Sequence, residues 1–111
     1  MSTLFKYSTF ESLLEIVRSR PGLILGRKSL SALWSLLLGY EMAVIEHNIP
    51  ESEQFNRKLE KEFNNWLRKK YSMGNAIDWY IFVITETKSE TEAFDRFFEF
   101  WDEFRQEITS V

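Results

Sequence analysis

Apolar side chains recur along this chain at helical spacing, in blocks parted by short polar or Gly/Pro punctuation. The first block places Phe10, Leu13, Leu14 and Val17 on one face, behind a capping box in which Ser8 stands three positions before Glu11. Arg20-Pro21-Gly22 ends it, because proline steers the residue before it out of the helical region. The stretch Leu23-Ile24-Leu25-Gly26 then reads as an apolar loop pinned against the core. Ser29 is placed to cap a second helix running to about His47. One of its faces carries Leu33, Leu36, Leu37, Tyr40, Ala43, Val44 and His47, and another carries Trp34, Leu38, Met42 and Ile45. A helix apolar nearly all round belongs at the centre of a bundle.

After a turn at residues 48–50, a third helix is predicted over 51–70, with Phe55, Leu59, Phe63, Trp66 and Leu67 as its buried stripe and Arg57, Lys61 and Arg68 opposite. Residues 71–75 form a loop. Residues 79–85 (WYIFVIT) have the β-branched and aromatic content of a strand, but no second strand is apparent to pair its backbone groups, so a buried helix is expected. Ser89 and Glu92 form another capping box, opening a last helix to about Ile108. Its core face is Phe94, Phe97, Phe98, Trp101, Phe104 and Ile108, and its outer face is Glu92, Asp95, Glu99, Asp102 and Glu103. The pattern predicts a compact all-α bundle of about five helices forming a single domain, with the second helix central.

Composition supports that picture. A chain of 111 residues that is 44% apolar and 16% aromatic can bury one core, and four Gly and two Pro are too few for the turns of a β-sandwich. With no Cys, neither a disulfide framework nor a thiolate metal site can form. The N-terminus lacks a signal-peptide pattern and the apolar runs are too short to span a bilayer, so a cytoplasmic protein is expected. The net charge of −3 is unevenly spread: residues 1–75 hold 11 basic and 8 acidic side chains, and residues 76–111 hold 3 and 9. That acidic C-terminal block suits a basic protein partner better than nucleic acid.

Candidate chemistry is sparse. Gly22 to Ser29 imitates a phosphate-binding loop in placing Lys28-Ser29 six residues after a glycine, but Arg27 stands where glycine is needed and no strand precedes it. A structural loop between helices is the expectation. His47 is the only histidine, which leaves no two-histidine metal site and makes a core or helix-end role the simpler reading. No catalytic residue, metal site or cofactor is expected. Two charged stripes remain. The basic one, Arg57, Lys61 and Arg68 with Lys58, Lys69 and Lys70 beside it, is the alternative seat for a nucleic acid. The acidic one gives the expected partner-binding face: Asp95, Glu99, Asp102 and Glu103, with Phe100 at its edge, though amphipathic helices also turn such charges merely to solvent. Phe100 and Trp79 fall off their helices' core stripes, where each is either an exposed anchor or further core.

Several packing and turn signatures together resemble a known group. They are Arg20-Pro21-Gly22-x-x-Leu25-Gly26, Gly39-Tyr40 with Ala43, Phe63-x-x-Trp66-Leu67 with Tyr71, Trp79, and Ala93-Phe94-x-x-Phe97-Phe98-x-x-Trp101-x-x-Phe104. In these the chain resembles small helical bacterial immunity proteins of polymorphic-toxin and contact-dependent growth-inhibition systems, departing from them at Leu23-Ile24, where Met-Tyr is expected. The resemblance implies a non-catalytic protein that neutralises a cognate toxin by stoichiometric binding. It assigns no site residue.

Overall fold

The computed structural model describes residues 9–48 and 55–109. Ser8, with the first capping box, and the expected helix start at 51–54 lie outside the described residues. So do the side chains at 9, 10, 55–59 and 109, among them Phe10, Phe55, Arg57, Lys58 and Leu59. The described residues form six helices and no strand: α1 (Thr9–Ser19), α2 (Pro21–Leu25), α3 (Leu30–Glu46), α4 (Phe55–Tyr71), α5 (Trp79–Glu86) and α6 (Glu90–Thr109).

The extra helix corrects the apolar loop expected at 23–26. Proline is suited to the first turn of a helix, and here Pro21 starts a single turn closed by the Ile24 N–H on the Arg20 carbonyl (3.1 Å) and the Gly26 N–H on the Gly22 carbonyl (3.0 Å). Gly26, at φ +80, ends the turn in the left-handed region that glycine enters without penalty. Nor is the segment pinned to the core: Leu23 is 72% exposed and Ile24 also faces solvent, and only Leu25 packs inward.

Caps set the other boundaries. Ser29 accepts the Ala32 N–H at the start of α3. Asp78, whose carboxylate accepts the N–H groups of Tyr80 and Ile81, turns the ambiguous stretch at 79–85 into a helix that buries Trp79, Phe82 and Val83. At α6, Ser89 accepts the Glu92 N–H (3.1 Å), while the Glu92 carboxylate reaches back to the Lys88 N–H (3.1 Å).

Packing centres on α6, against which α3, α4 and α5 all lie. It buries Ala93, Phe94, Phe97, Phe98, Phe100, Trp101 and Phe104, whereas Ile108, expected in the core, is 39% exposed near the helix end. Phe63 of α4 sits in the middle of an aromatic cluster. Its ring centroid is 5.3 Å from Trp101, 5.4 Å from Phe104, 5.8 Å from Phe97 and 6.5 Å from Trp79, in the tilted and edge-on geometries that ring quadrupoles favour. The central place expected for the helix beginning at Ser29 holds for its first half only. Leu30, Leu33 and Leu37 are buried, but in the second half, where Tyr40 still packs against the core and Val44 is half-buried, Leu38, Met42 and Ile45 stand in solvent on the other side.

Candidate protein-binding faces

The outer face of α6 carries the expected acidic stripe, and each carboxylate on it is already engaged. Lys28 pairs with Asp95 at 2.7 Å, and Arg96 with Glu99 at 2.9 Å. Arg18 of α1 grips Asp102 through both guanidinium ends, as a fork on a carboxylate. Glu103 accepts the Tyr71 hydroxyl (2.7 Å) and pairs with Lys70 (3.1 Å), which also bridges to Glu107. The Tyr71 hydrogen bond, helped by Lys70, holds the Glu103 carboxyl below the usual carboxylate range.

The same cations lie over aromatic rings. Arg96 is 4.1 Å from the centroid of Phe100, Arg18 is 5.3 Å from Phe98, Lys70 is 5.6 Å from Trp66 and Lys28 is 5.9 Å from Phe94. Each cation therefore serves twice, neutralising a carboxylate of the stripe and roofing part of the aromatic core. A face balanced in this way offers an incoming basic surface much less field than its sequence implies.

Phe100 must be withdrawn as an edge anchor. It is 1% exposed, held between Tyr71 (4.9 Å) and Phe82 (5.9 Å) beneath Arg96, because α5 and the end of α4 cover α6 over a wider arc than one helical stripe. Trp79 is likewise core, 4.8 Å from Phe97. His47 caps the end of α3 through its backbone and is exposed rather than on a core face. Lys28 and Ser29 are accounted for by the Asp95 pair and the α3 cap, so the phosphate-loop imitation is a helix-to-helix connection. On the basic stripe, Arg68 is turned inward: its guanidinium donates to the Ile77 carbonyl (3.0 Å) and to Asn65 (3.2 Å).

Two other features distinguish the surface. Between α3 and α4 an open cleft of about 240 Å³ is lined by Glu41, Glu60, Lys61, Asn64 and Arg68. Burial pushes the Glu60 carboxyl up to about 7, with the charges of Glu41 and Asp78 adding to the effect. Beside it runs the uncovered row of α3, with Leu38 43%, Ile45 54% and Met42 63% exposed. A larger groove of about 650 Å³ lies between α1 and α6, lined by Glu11, Ile16, Trp101, Asp102 and Arg105; ion pairs of Arg105 with Glu11 and of Arg18 with Asp102 tie these two helices together. Among the described residues no group of three or more acidic or histidine side chains is arranged to hold a metal ion.

No family model, curated protein or solved structure matches this chain.

Sequence reasoning did not single out the exposed side of α3, though one signal for it was present. The only charged residues of α3 are Glu41 and Glu46, and they flank positions 38, 42 and 45, which marks that side as the one facing water. No local signal exists for Glu90. It lies 59 residues from Ser31, yet accepts its backbone N–H (2.9 Å) and hydroxyl (2.7 Å), together with the Ser29 hydroxyl (3.0 Å). Those bonds, led by the Ser31 N–H, hold the Glu90 carboxyl below its ordinary value and make it a second cap for α3, donated by another helix.

Proposed function

We propose that this chain is a non-catalytic protein-binding module that acts in the cytoplasm and neutralises a cognate bacterial toxin domain by stoichiometric binding, in the manner of the immunity proteins it resembles. The observation that carries the reading is the exposed apolar row on one side of α3. Leu38, Met42 and Ile45 stand in solvent along one side of α3, a longer exposed apolar row than any other helix among the described residues carries. An exposed apolar strip of this kind is costly to leave wet and marks a surface kept for a partner. The charged groups support the same reading. Those on α6 are largely spent on ion pairs with Arg18, Lys28 and Lys70 from other parts of the fold. No helix among the described residues is long and apolar enough to cross a membrane.

The test uses the purified protein and the product of the reading frame adjacent to its gene. Calorimetry should give a one-to-one complex, and co-expression should relieve growth inhibition by that product. Failure to form a complex at micromolar concentration, or turnover of a substrate by the purified chain alone, would overturn the proposal.

A further inference from the structure

We infer that the single turn α2 is a docking tip, which seats Leu23 and Ile24 in an apolar pocket of a partner protein edged by aspartate or glutamate. The inference rests on the protein-binding reading and adds to it a second contact of stated chemistry. The tip is fixed in place. Pro21 sets its first turn and Gly26, at φ +80, ends it. Just beyond, Lys28 is tied to α6 through its ammonium on Asp95 (2.7 Å) and through its carbonyl, which accepts the Thr91 hydroxyl (3.3 Å). Leu23, at 72%, is the most exposed large apolar side chain among the described residues, and Ile24 stands in solvent beside it. A fixed turn that holds leucine and isoleucine in water loses little further freedom when a pocket closes over them.

Charge selects the occupant. Between Glu15 and Glu41 the chain carries Arg18, Arg20, Arg27 and Lys28 and no acidic residue. Arg18 and Lys28 are neutralised by Asp102 and Asp95. Arg20 and Arg27 flank the turn at its two ends, both exposed, and neither forms an ion pair among the described residues. Arg27 lies within electrostatic reach of Glu90, but the Ser29 and Ser31 hydroxyls and the Ser31 N–H already hold that carboxylate. An aliphatic apex between two unpaired cations matches an apolar socket with carboxylates on its edge, which would steer the tip in and penalise a basic competitor. A lipid surface fits less well. Asp95 and Glu99 share a hollow with Lys28 at the base of the turn, where they would oppose a broad anionic sheet, while a pocket that encloses the turn alone does not meet them. Nucleic acid fits no better, because leucine and isoleucine offer a base neither a hydrogen bond nor an aromatic face.

The probe is the product of the reading frame adjacent to the gene, bound to the full-length protein at low and at physiological salt. Association with the wild type should slow as salt rises. Leu23→Ser with Ile24→Ser, at sites facing solvent, should keep the circular dichroism spectrum and weaken binding about tenfold or more. Arg20→Glu with Arg27→Glu should slow association about tenfold at low salt and flatten its salt dependence. Wild-type affinity and association rate in both double variants would show that the docking tip alone is wrong. No complex even with the wild type would mean that the protein-binding reading has itself failed. Two further results would overturn the inference by giving the tip another occupant: binding to phosphatidylglycerol vesicles that the serine variant loses, and a dimer in sedimentation that it dissolves.

Discussion

Replacing Glu60 by glutamine removes a carboxylate whose ionisation the fold opposes, so the variant should be more stable than the wild type at alkaline pH. The sign follows from linkage. A carboxyl whose native pKa, about 7, lies above its ordinary value of 4.5 holds its proton more tightly when folded. Its contribution to stability is therefore complete below pH 4.5, declines as pH rises toward 7, and is fully lost above. At about 1.4 kcal/mol per pH unit, the gap between 4.5 and about 7 sets an upper limit of about 3 kcal/mol. Water entering the open cleft screens the charge, which brings the expected value to about 1–3 kcal/mol. Glutamine keeps the shape and cannot ionise, so it escapes the penalty. Urea unfolding of both proteins near pH 4 and near pH 8.5 measures the effect. The two midpoints should nearly coincide at the acidic end and separate by about 1 M at the alkaline end, with glutamine higher, given a urea dependence of about 1–3 kcal/mol per molar. Other titrating groups are common to both proteins and cancel in the difference. A midpoint difference that does not change with pH, or a wild type that gains on the variant as pH rises, would refute the reasoning.

Reversing Glu99, Asp102 and Glu103 together to lysine should lower the melting temperature by several degrees, because the new cations face Arg96, Arg18 and Lys70 across contacts that now attract; molar salt should shrink the loss, and a loss insensitive to salt would contradict it. Ser29→Ala should cost about 1–2 kcal/mol in chemical denaturation, since this fully buried hydroxyl caps α3 and bonds to Glu90. Phe63→Ala should cost about 3–5 kcal/mol and flatten the near-ultraviolet circular dichroism, because the ring touches aromatic side chains of α4, α5 and α6 and leaves a cavity among them.

How much was legible in advance depended on the range of the interactions involved. Capping and periodicity act within four residues, and the sequence therefore determined the all-α class, the start of α3 at Ser29, the capping box at Ser89 and the core stripe from Phe94 to Phe104. Even the helix at 79–85 followed from the lack of a partner strand, although its Asp78 cap went unread. Burial is different, because it depends on what lies over a side chain rather than on the side chain itself. Phe100 sits off the main stripe of α6 and is buried by Tyr71 and Phe82, while Met42 sits on an apolar helix and is bare. The same holds for charge. The acidic stripe of α6 is plain in the sequence, but Arg18, which neutralises Asp102, lies 84 residues away, and Lys70, which serves Glu103 and Glu107, belongs to another helix. Only the tertiary structure brings those cations onto the stripe and sets Glu41 of α3 beside Glu60 of α4 in one cleft, because Coulomb and packing forces act through space, where neighbours along the chain carry no record of them.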